Sequence, residues 1–188
     1  MQTRRHWFPK SYADRVARLR VTAGFLMVGA FAVFSRPTPH SPAVGLPVSL
    51  LGLALRAWAA GHLAKNQRLA ISGPYACTRN PLYLGTLLTA LGLAAAGDSA
   101  GLALLFGALF LLVYLPAIEL EEQHLRAILP TYRSYAARVP LLLPRWPEGL
   151  GPEAFSLALY RKNREYQALL GWLAGAVWLV IRAFRIPA

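Results

Sequence analysis

The chain has a single cysteine, Cys77, among 188 residues. That excludes an internal disulfide framework and any zinc site built from several thiolates. Charge is also scarce, at 15% Asp, Glu, Lys and Arg, where a soluble domain carries about 25%. Acid is scarcest of all, with 8 Asp and Glu against 20 Lys and Arg, a formal charge of +12. Internal repeats and low-complexity tracts are absent, and the four histidines (His6, His40, His62, His124) show no ligand spacing. A metal site is therefore not expected. What the chain has in abundance is apolar side chains, 56% of the total. Global disorder is thereby excluded, because disordered chains lack the apolar residues to build a core. In a soluble protein, +12 would suggest nucleic acid. In one this apolar, the placement of the charges decides.

Uncharged runs fill the sequence. Fifteen residues separate Arg20 from Arg36, nineteen separate Arg36 from Arg56, and sixteen separate Glu165 from Arg182. From Pro81 to Ile118 the only charge in 38 residues is Asp98. A bilayer core needs about 20 helical residues, with a range of roughly 17–25. The long run thus reads as two spans folded back at Gly97-Asp98-Ser99, a polar turn. The expected fold is all-α: a polytopic membrane bundle of about five helices forming one domain over residues 1–188. Its spans are expected at about 18–35, 43–63, 81–97, 99–119 and 166–184.

Basic residues set the expected orientation. Sixteen lie in residues 1–20, the stretch 64–80 and the stretch 120–165. Three (Arg36, Arg182, Arg185) lie on the other side, and Arg56 falls inside the second span. Positive charge accumulates on the cytoplasmic side, so the N-terminus and both large loops are expected there. Membrane lipids are the expected partners, nucleic acid is not, and oligomeric state is not legible. Residues 1–17 read as a retained basic interfacial segment, with Trp7, Phe8 and Tyr12 among the arginines.

The polar material therefore collects at one face, and two segments of it look built for chemistry. Residues 61–85 place Lys65, Arg68 and Arg79 around a Gly73-Pro74 turn, and Asn80-Pro81 opens the third span. Asn suits a helix cap and Pro the first helical position. The positive end of that helix dipole, amid three cations, favours an anion. The second segment holds Glu119, Glu121 and Glu122, three of the eight acids within four positions. Like charges at a membrane edge are expensive without a cation nearby. An i,i+4 pair of Glu122 with Arg126 accounts for only one of the three. A polar or cationic ligand between the two segments accounts for more. Tyr75 and Tyr83 read either as interfacial aromatics or as pocket lining, and Cys77 as packing.

Taken together, G-P-Y-x-x-x-R-N-P-x-Y-x-G (73–85), E-E-x-x-L (121–125) and Y-x-x-Y-x-x-x-V-P-x-x-x-P (132–144) resemble the isoprenylcysteine carboxyl methyltransferase family. That family is related to the phospholipid N-methyltransferases, within a wider group of small integral-membrane methyltransferases. The resemblance implies an enzyme that uses S-adenosylmethionine from the cytoplasmic face. Its acceptor would be a lipophilic small molecule, prenyl compound or lipid arriving from the bilayer. It implies cofactor contacts for Lys65, Arg68, Leu69, Ala70, Tyr75, Asn80, Pro81, Leu82, Tyr83 and Glu121, with Arg79 and Glu122 as catalytic candidates. Departures are visible. Asn80 replaces a histidine, and Pro116-Ala117-Ile118 stands where carboxyl methyltransferases carry an arginine. Ile128-Leu129 replaces F-G, and the chain beyond Pro144 lies outside the motifs.

Methyl transfer from a sulfonium leaves the protein to align the reactants, exclude water and match charge. A carboxylate acceptor needs no base. An amine or thiol would need one, with Glu121, Glu122 or a tyrosine at hand. Two other classes remain open on sequence grounds: an NADPH-dependent membrane reductase of related fold, and a non-catalytic membrane protein.

Overall fold

The computed structural model describes residues 7–65, 67–147 and 149–185. Arg4 and Arg5 of the basic N-terminal run lie outside them. Helix α1 covers Lys10–Phe34 and α2 Ser41–Ala60, and α3 is a single turn at Pro74–Cys77. Then come α4 (Pro81–Ala96), α5 (Ala100–Leu109), a π-helical turn (Phe110–Tyr114) and α6 (Leu115–Ile128). Two short helices, α7 (Tyr132–Arg138) and α8 (Leu157–Lys162), precede α9 (Tyr166–Arg185). No strand occurs among the described residues. The protein is a helical membrane bundle. By length and composition three helices suffice to cross a bilayer: Ser41–Ala60, the continuous Ala100–Ile128 and Tyr166–Arg185. The apolar Thr22–Phe34 and Pro81–Ala96 are shorter.

Small residues hold the centre together. Helices α2 and α4 run antiparallel with Gly45 against Ala96, Ser49 against Gly92, and Gly52 against Thr89 and Gly85. A Cβ on Gly52 would lie 2.5 Å from Thr89 N and 2.7 Å from Gly85 O. Only backbone-to-backbone packing of this kind allows such an approach. The Ser41 hydroxyl donates to Ala96 O (2.8 Å) and Thr89 to Ser49 O (3.3 Å) across the same seam. Trp172 Nε1–H donates to Ser49 Oγ (2.7 Å) and ties α9 to it. Large apolar side chains such as Phe25, Leu104 and Phe184 point outward instead. A lipid-facing surface requires that arrangement, since hydrocarbon does not drive it inward.

The turn at Gly97-Asp98-Ser99 forms as the sequence predicts. Asp98 takes a left-handed φ of 47°, and the Ser99 hydroxyl accepts from Leu102 N (3.3 Å) as the cap of α5. The following helix runs on to Ile128, well beyond the expected 119, with a π turn in its middle. Pro116 explains the irregularity, because it has no N–H to offer the Leu112 carbonyl. The Tyr12 hydroxyl of α1 donates to that carbonyl instead (2.7 Å). Helix α6 thereby carries its glutamates out beyond the apolar zone on a rigid rod.

Past α7 the chain crosses back over the loop at 61–80 and fastens to it. Arg79 N donates to Pro140 O (2.9 Å), Arg145 N to Cys77 O (3.0 Å), Gly73 N to Leu150 O (2.6 Å) and Ser156 N to Gly61 O (2.9 Å). Gly73 has φ 60°, and a Cβ there would lie 2.7 Å from the His62 ring. The glycine of the first motif is thus demanded by both backbone and space.

Candidate functional site

A cavity of about 750 Å³ opens at the polar end of the bundle, between the loop after α2, the start of α4, the charged part of α6 and α7. That volume lies within the roughly 300–1,000 Å³ of small-molecule sites. All twelve residues singled out from the sequence line it: Lys65, Arg68, Leu69, Ala70, Tyr75, Arg79, Asn80, Pro81, Leu82, Tyr83, Glu121 and Glu122. So do Arg56, Tyr114, His124, Tyr132 and Tyr135, to which sequence reasoning gave no role. The two tyrosines of α7 carried a signal in the Y-x-x-Y motif, since an i,i+3 pair shares one helix face. Arg56 carried one as an ionisable residue within an apolar run.

Ion pairs organise the walls. Arg79 Nη1 lies 2.7 Å from Glu122 Oε1, with both side chains mostly buried. Glu122 also accepts from the Tyr132 hydroxyl (2.9 Å) and faces Arg126 Nη2 at 3.6 Å. Arg68 donates to Glu153 (2.6 Å), and Arg56 Nε donates to Glu165 Oε1 (2.5 Å). These pairs engage four arginines and three glutamates. Lys65 and Glu121 remain as opposite charges at the cavity with no salt bridge among the described residues, Glu121 accepting only from the Tyr83 hydroxyl (3.1 Å). Arg79 Nε and Nη1 are buried without an aligned hydrogen-bond partner. Nη1 nonetheless lies against the Glu122 carboxylate, so Nε is the Arg79 nitrogen that is buried without a partner among the described residues.

Burial governs the protons of the tyrosines. Loss of solvent, then the Glu122 charge, raises Tyr132 above the ordinary tyrosine value, with Arg79 offsetting part of the rise. Burial and then Tyr132 raise Tyr135, and burial and then Glu121 raise Tyr75. All three are hydrogen-bond donors at neutral pH, as the bond from the Tyr135 hydroxyl to Tyr75 O (2.8 Å) illustrates. Burial pushes the Cys77 thiol up as well, which keeps it protonated and a poor nucleophile.

Two expectations need correction. The Asn80 side chain does not cap α4. Its amide donates to Leu141 O (3.0 Å) and holds the post-α7 segment in place, a long-range partner no local pattern reveals. Glu119 does not face the cavity with its two neighbours. Its carboxylate accepts from the backbone N–H groups of Trp7 (2.9 Å) and Phe8 (3.1 Å), tying down the start of α1. His62 is buried, with ring nitrogens at the carbonyls of Trp58 and Glu153. Among the described residues, no three His, Cys, Asp or Glu side chains converge as a metal would require.

Comparison with known proteins places the site in context. Residues 44–131 match the sequence model of the phospholipid methyltransferase family. Over 139 residues the chain is 34% identical to the cobalt-zinc-cadmium resistance protein CzcN of Cupriavidus metallidurans, covering 70% of this chain and 64% of that protein. Over 145 residues it is 30% identical to the nickel-cobalt-cadmium resistance protein NccN of Alcaligenes xylosoxydans xylosoxydans, covering 72% of this chain and 63% of that one. The match thus spans slightly under two thirds of each relative's length. No solved structure matches.

Proposed function

We infer, from the membership of residues 44–131 in the phospholipid methyltransferase family, that the protein is a membrane methyltransferase using S-adenosylmethionine. In this reading the cavity faces the cytoplasm, as the sixteen-to-three distribution of basic residues implies. The observation that carries the cofactor is the charge left over at its walls: Lys65 and Glu121, opposite in sign, with no salt bridge among the described residues. They suit the zwitterionic amino-acid end of that molecule, the carboxylate to Lys65 and the ammonium to Glu121. The tyrosines supply flat surfaces and donors for the nucleoside end.

When bound, the cofactor supplies a methyl group already activated by its sulfonium. The chain's own residues then have three tasks. Lys65, Glu121 and the start of α4 hold the donor in one orientation, which lowers the entropic part of the barrier. Glu122, gripped by Arg79, Tyr132 and Arg126, positions Arg79 rather than acting as a mobile base. The apolar helices exclude water around the reacting carbon. A carboxylate acceptor then needs no proton removed. For an amine or thiol acceptor, Glu121 is the better placed base of the two acids, because it is not locked in an ion pair.

Isothermal titration of detergent-purified protein with S-adenosylmethionine and, separately, NADPH tests the reading. The methyl donor is expected to bind and NADPH not to. A folded protein that binds NADPH alone, or neither, overturns it. Radiolabelled methyl transfer onto total membrane lipid then identifies the acceptor.

A further inference from the structure

The helix that carries Glu121 and Glu122 to the cavity is not regular along its length. Between α5 and α6 lies the π turn Phe110–Tyr114, after which Leu115 N–H donates to Phe110 O, five residues back. A π turn admits one residue more than an α turn, and one residue is about 100° of rotation. The turn therefore sets which face of α6 meets the cavity. Along that face Tyr114, Glu121 and Leu125 follow one another, and all three line the cavity. Upstream, Phe106 and Phe110 are buried in the apolar core. A rotation of α6 by one residue against that part would carry Glu121 out of the cavity wall.

What keeps the turn open comes from α1. In an α turn the Pro116 ring would collide with the Leu112 carbonyl, and it offers that carbonyl no N–H. The wider turn relieves the collision, and the Tyr12 hydroxyl supplies the missing donor at 2.7 Å. In a span that crosses hydrocarbon an unpaired carbonyl is costly. Tyr12 is itself seated: its ring stacks on Phe8, with centroids 6.1 Å apart, and Glu119 accepts from the N–H groups of Trp7 and Phe8. Residues two positions apart lie about 200° apart around a helix. Glu119 is thus on the back of the rod, gripped by α1, and Glu121 on the front. We propose that Tyr12 is a positioning residue: its hydroxyl pins the π turn, and with it the rotation of α6 that presents Tyr114 and Glu121 to the cavity. The consequence for the cofactor rests on the proposed methyl transfer, in which Glu121 receives the ammonium. A slip at the turn reaches that carboxylate by a second route as well. Tyr114 packs edge-on to Tyr83, with centroids 6.1 Å apart, and the Tyr83 hydroxyl donates to Glu121 (3.1 Å). Tyr12 lies outside the family-matched segment 44–131. The chain ahead of that segment therefore shapes the site, although no described residue of it lines the cavity.

Two measurements on the intact, detergent-purified protein test the pin: amide hydrogen exchange without ligand, and calorimetric titration with S-adenosylmethionine. In Tyr12→Phe, exchange across residues 110–115 should quicken about fivefold, the worth of one neutral hydrogen bond, while 100–109 stays unchanged. The cofactor should bind weaker by a similar factor, about fivefold. Pro116→Ala separates positioning from plain stability. Its new N–H closes an α turn on Leu112 O and needs no tyrosine. Added to Tyr12→Phe, it should restore the melting temperature yet leave the cofactor affinity low, because the carbonyl is satisfied and the rotation is lost. Glu119→Gln is the control. Its amide oxygen still accepts from one of the two N–H groups, so exchange at 110–115 and cofactor affinity should both hold. Unchanged exchange in Tyr12→Phe overturns the proposal, as does quickened exchange with cofactor affinity unmoved. An affinity that recovers together with the melting temperature in the double variant overturns it too. An unaltered protein that binds no S-adenosylmethionine refutes the methyl-transfer reading instead, and exchange then decides on the pin by itself.

Discussion

The seam between α2 and α4 and the wall of the polar cavity are adjacent, yet opposite forces close them. From Gly45 to Gly52 the seam contains no charge and scarcely any side chain: Gly45, Gly52, Gly85 and Gly92 bring the two backbones into contact, and Arg56 closes its polar end over Gly85. The cavity wall is long side chains joined by ion pairs, Arg79 with Glu122, Arg68 with Glu153 and Arg56 with Glu165. Backbone contact leaves no slack, so a bilayer-embedded scaffold gains rigidity from it without a hydrophobic driving force. Ion pairs among flexible side chains can be rearranged by a ligand that offers charges of its own. The protein therefore keeps its geometry in one region and its adaptability in the other.

The sharpest way to break that contrast is one methyl group. In Gly92→Ala the new Cβ would press on Ser49 N, lie 2.7 Å from Ser49 Cα and 2.8 Å from Gly45 O, and no backbone there can yield. A loss of about 3 kcal/mol is expected, the upper end for overpacking. Gly107 has nothing within 4 Å of its would-be Cβ. There the same substitution should stabilise by about 0.5–1 kcal/mol through helix propensity. Thermal unfolding in detergent distinguishes the two. Equal effects would mean that the seam is not the rigid part.

The cavity wall should respond less to a loss. Arg79→Ala strands the Glu122 carboxylate beside Tyr132, with Arg126 still 3.6 Å away. A cost of up to about 3 kcal/mol follows for a mostly buried charge deprived of its partner. Glu122→Gln in the same chain should recover part of it, because the uncompensated charge is then gone. Non-additivity in this double-mutant cycle is the check. Strict additivity would mean the pair is not coupled.

This contrast also explains what the sequence could disclose. The bilayer sorts polar residues to one end, so the loop around Lys65, Arg68 and Arg79 and the pair Glu121 and Glu122 were recognisable as neighbours from one-dimensional spacing. The seam was less legible. Glycines dispersed through apolar runs suggest close packing, but the pairing of Gly45 with Ala96 is a property of two helices meeting. Arg56 was visible as a charge in an apolar run, and its partner Glu165 lies 109 residues away. Glu119 was grouped with Glu121 and Glu122 because proximity in sequence was the one criterion available. Two of its partners, the N–H groups of Trp7 and Phe8, lie 112 and 111 residues distant. The π turn at Phe110–Tyr114 followed from Pro116, and its repair by Tyr12 again required the tertiary fold.

The three glutamates of α6 sharpen the comparison further, since they divide between scaffold and site. Glu121 is exposed and, among the described residues, accepts from the Tyr83 hydroxyl. Glu121→Gln should leave stability within about 0.5 kcal/mol and weaken S-adenosylmethionine about tenfold, the worth of one charged hydrogen bond. Glu119→Gln should do the reverse: cofactor affinity unchanged, stability lower by about 1 kcal/mol as the start of α1 loosens. Titration calorimetry and thermal unfolding of both variants read the pattern. If Glu119→Gln is the one that weakens the cofactor, the division is wrong.

The smallest effect concerns protons on the cavity wall. Tyr132, Tyr135 and Tyr75 are all raised above the tyrosine value of 10.0. A raised tyrosine holds its proton in the folded state after the unfolded chain has begun to release it. The stability it contributes is thus fully present below pH 10 and is lost as pH climbs from there toward the folded value. Across pH 6–9 these groups should leave the melting temperature flat, since neither state has begun to lose the proton. Above pH ~10 stability should fall, each such tyrosine adding about 1.4 kcal/mol per pH unit to the slope. Tyr132→Phe removes the bond to Glu122, which costs about 1 kcal/mol at neutral pH. It should also make the alkaline fall shallower by one tyrosine's share. The seam, having no titratable group, predicts no change of slope in Gly92→Ala, so the alkaline limb alone tells which of the two regions a given variant has loosened.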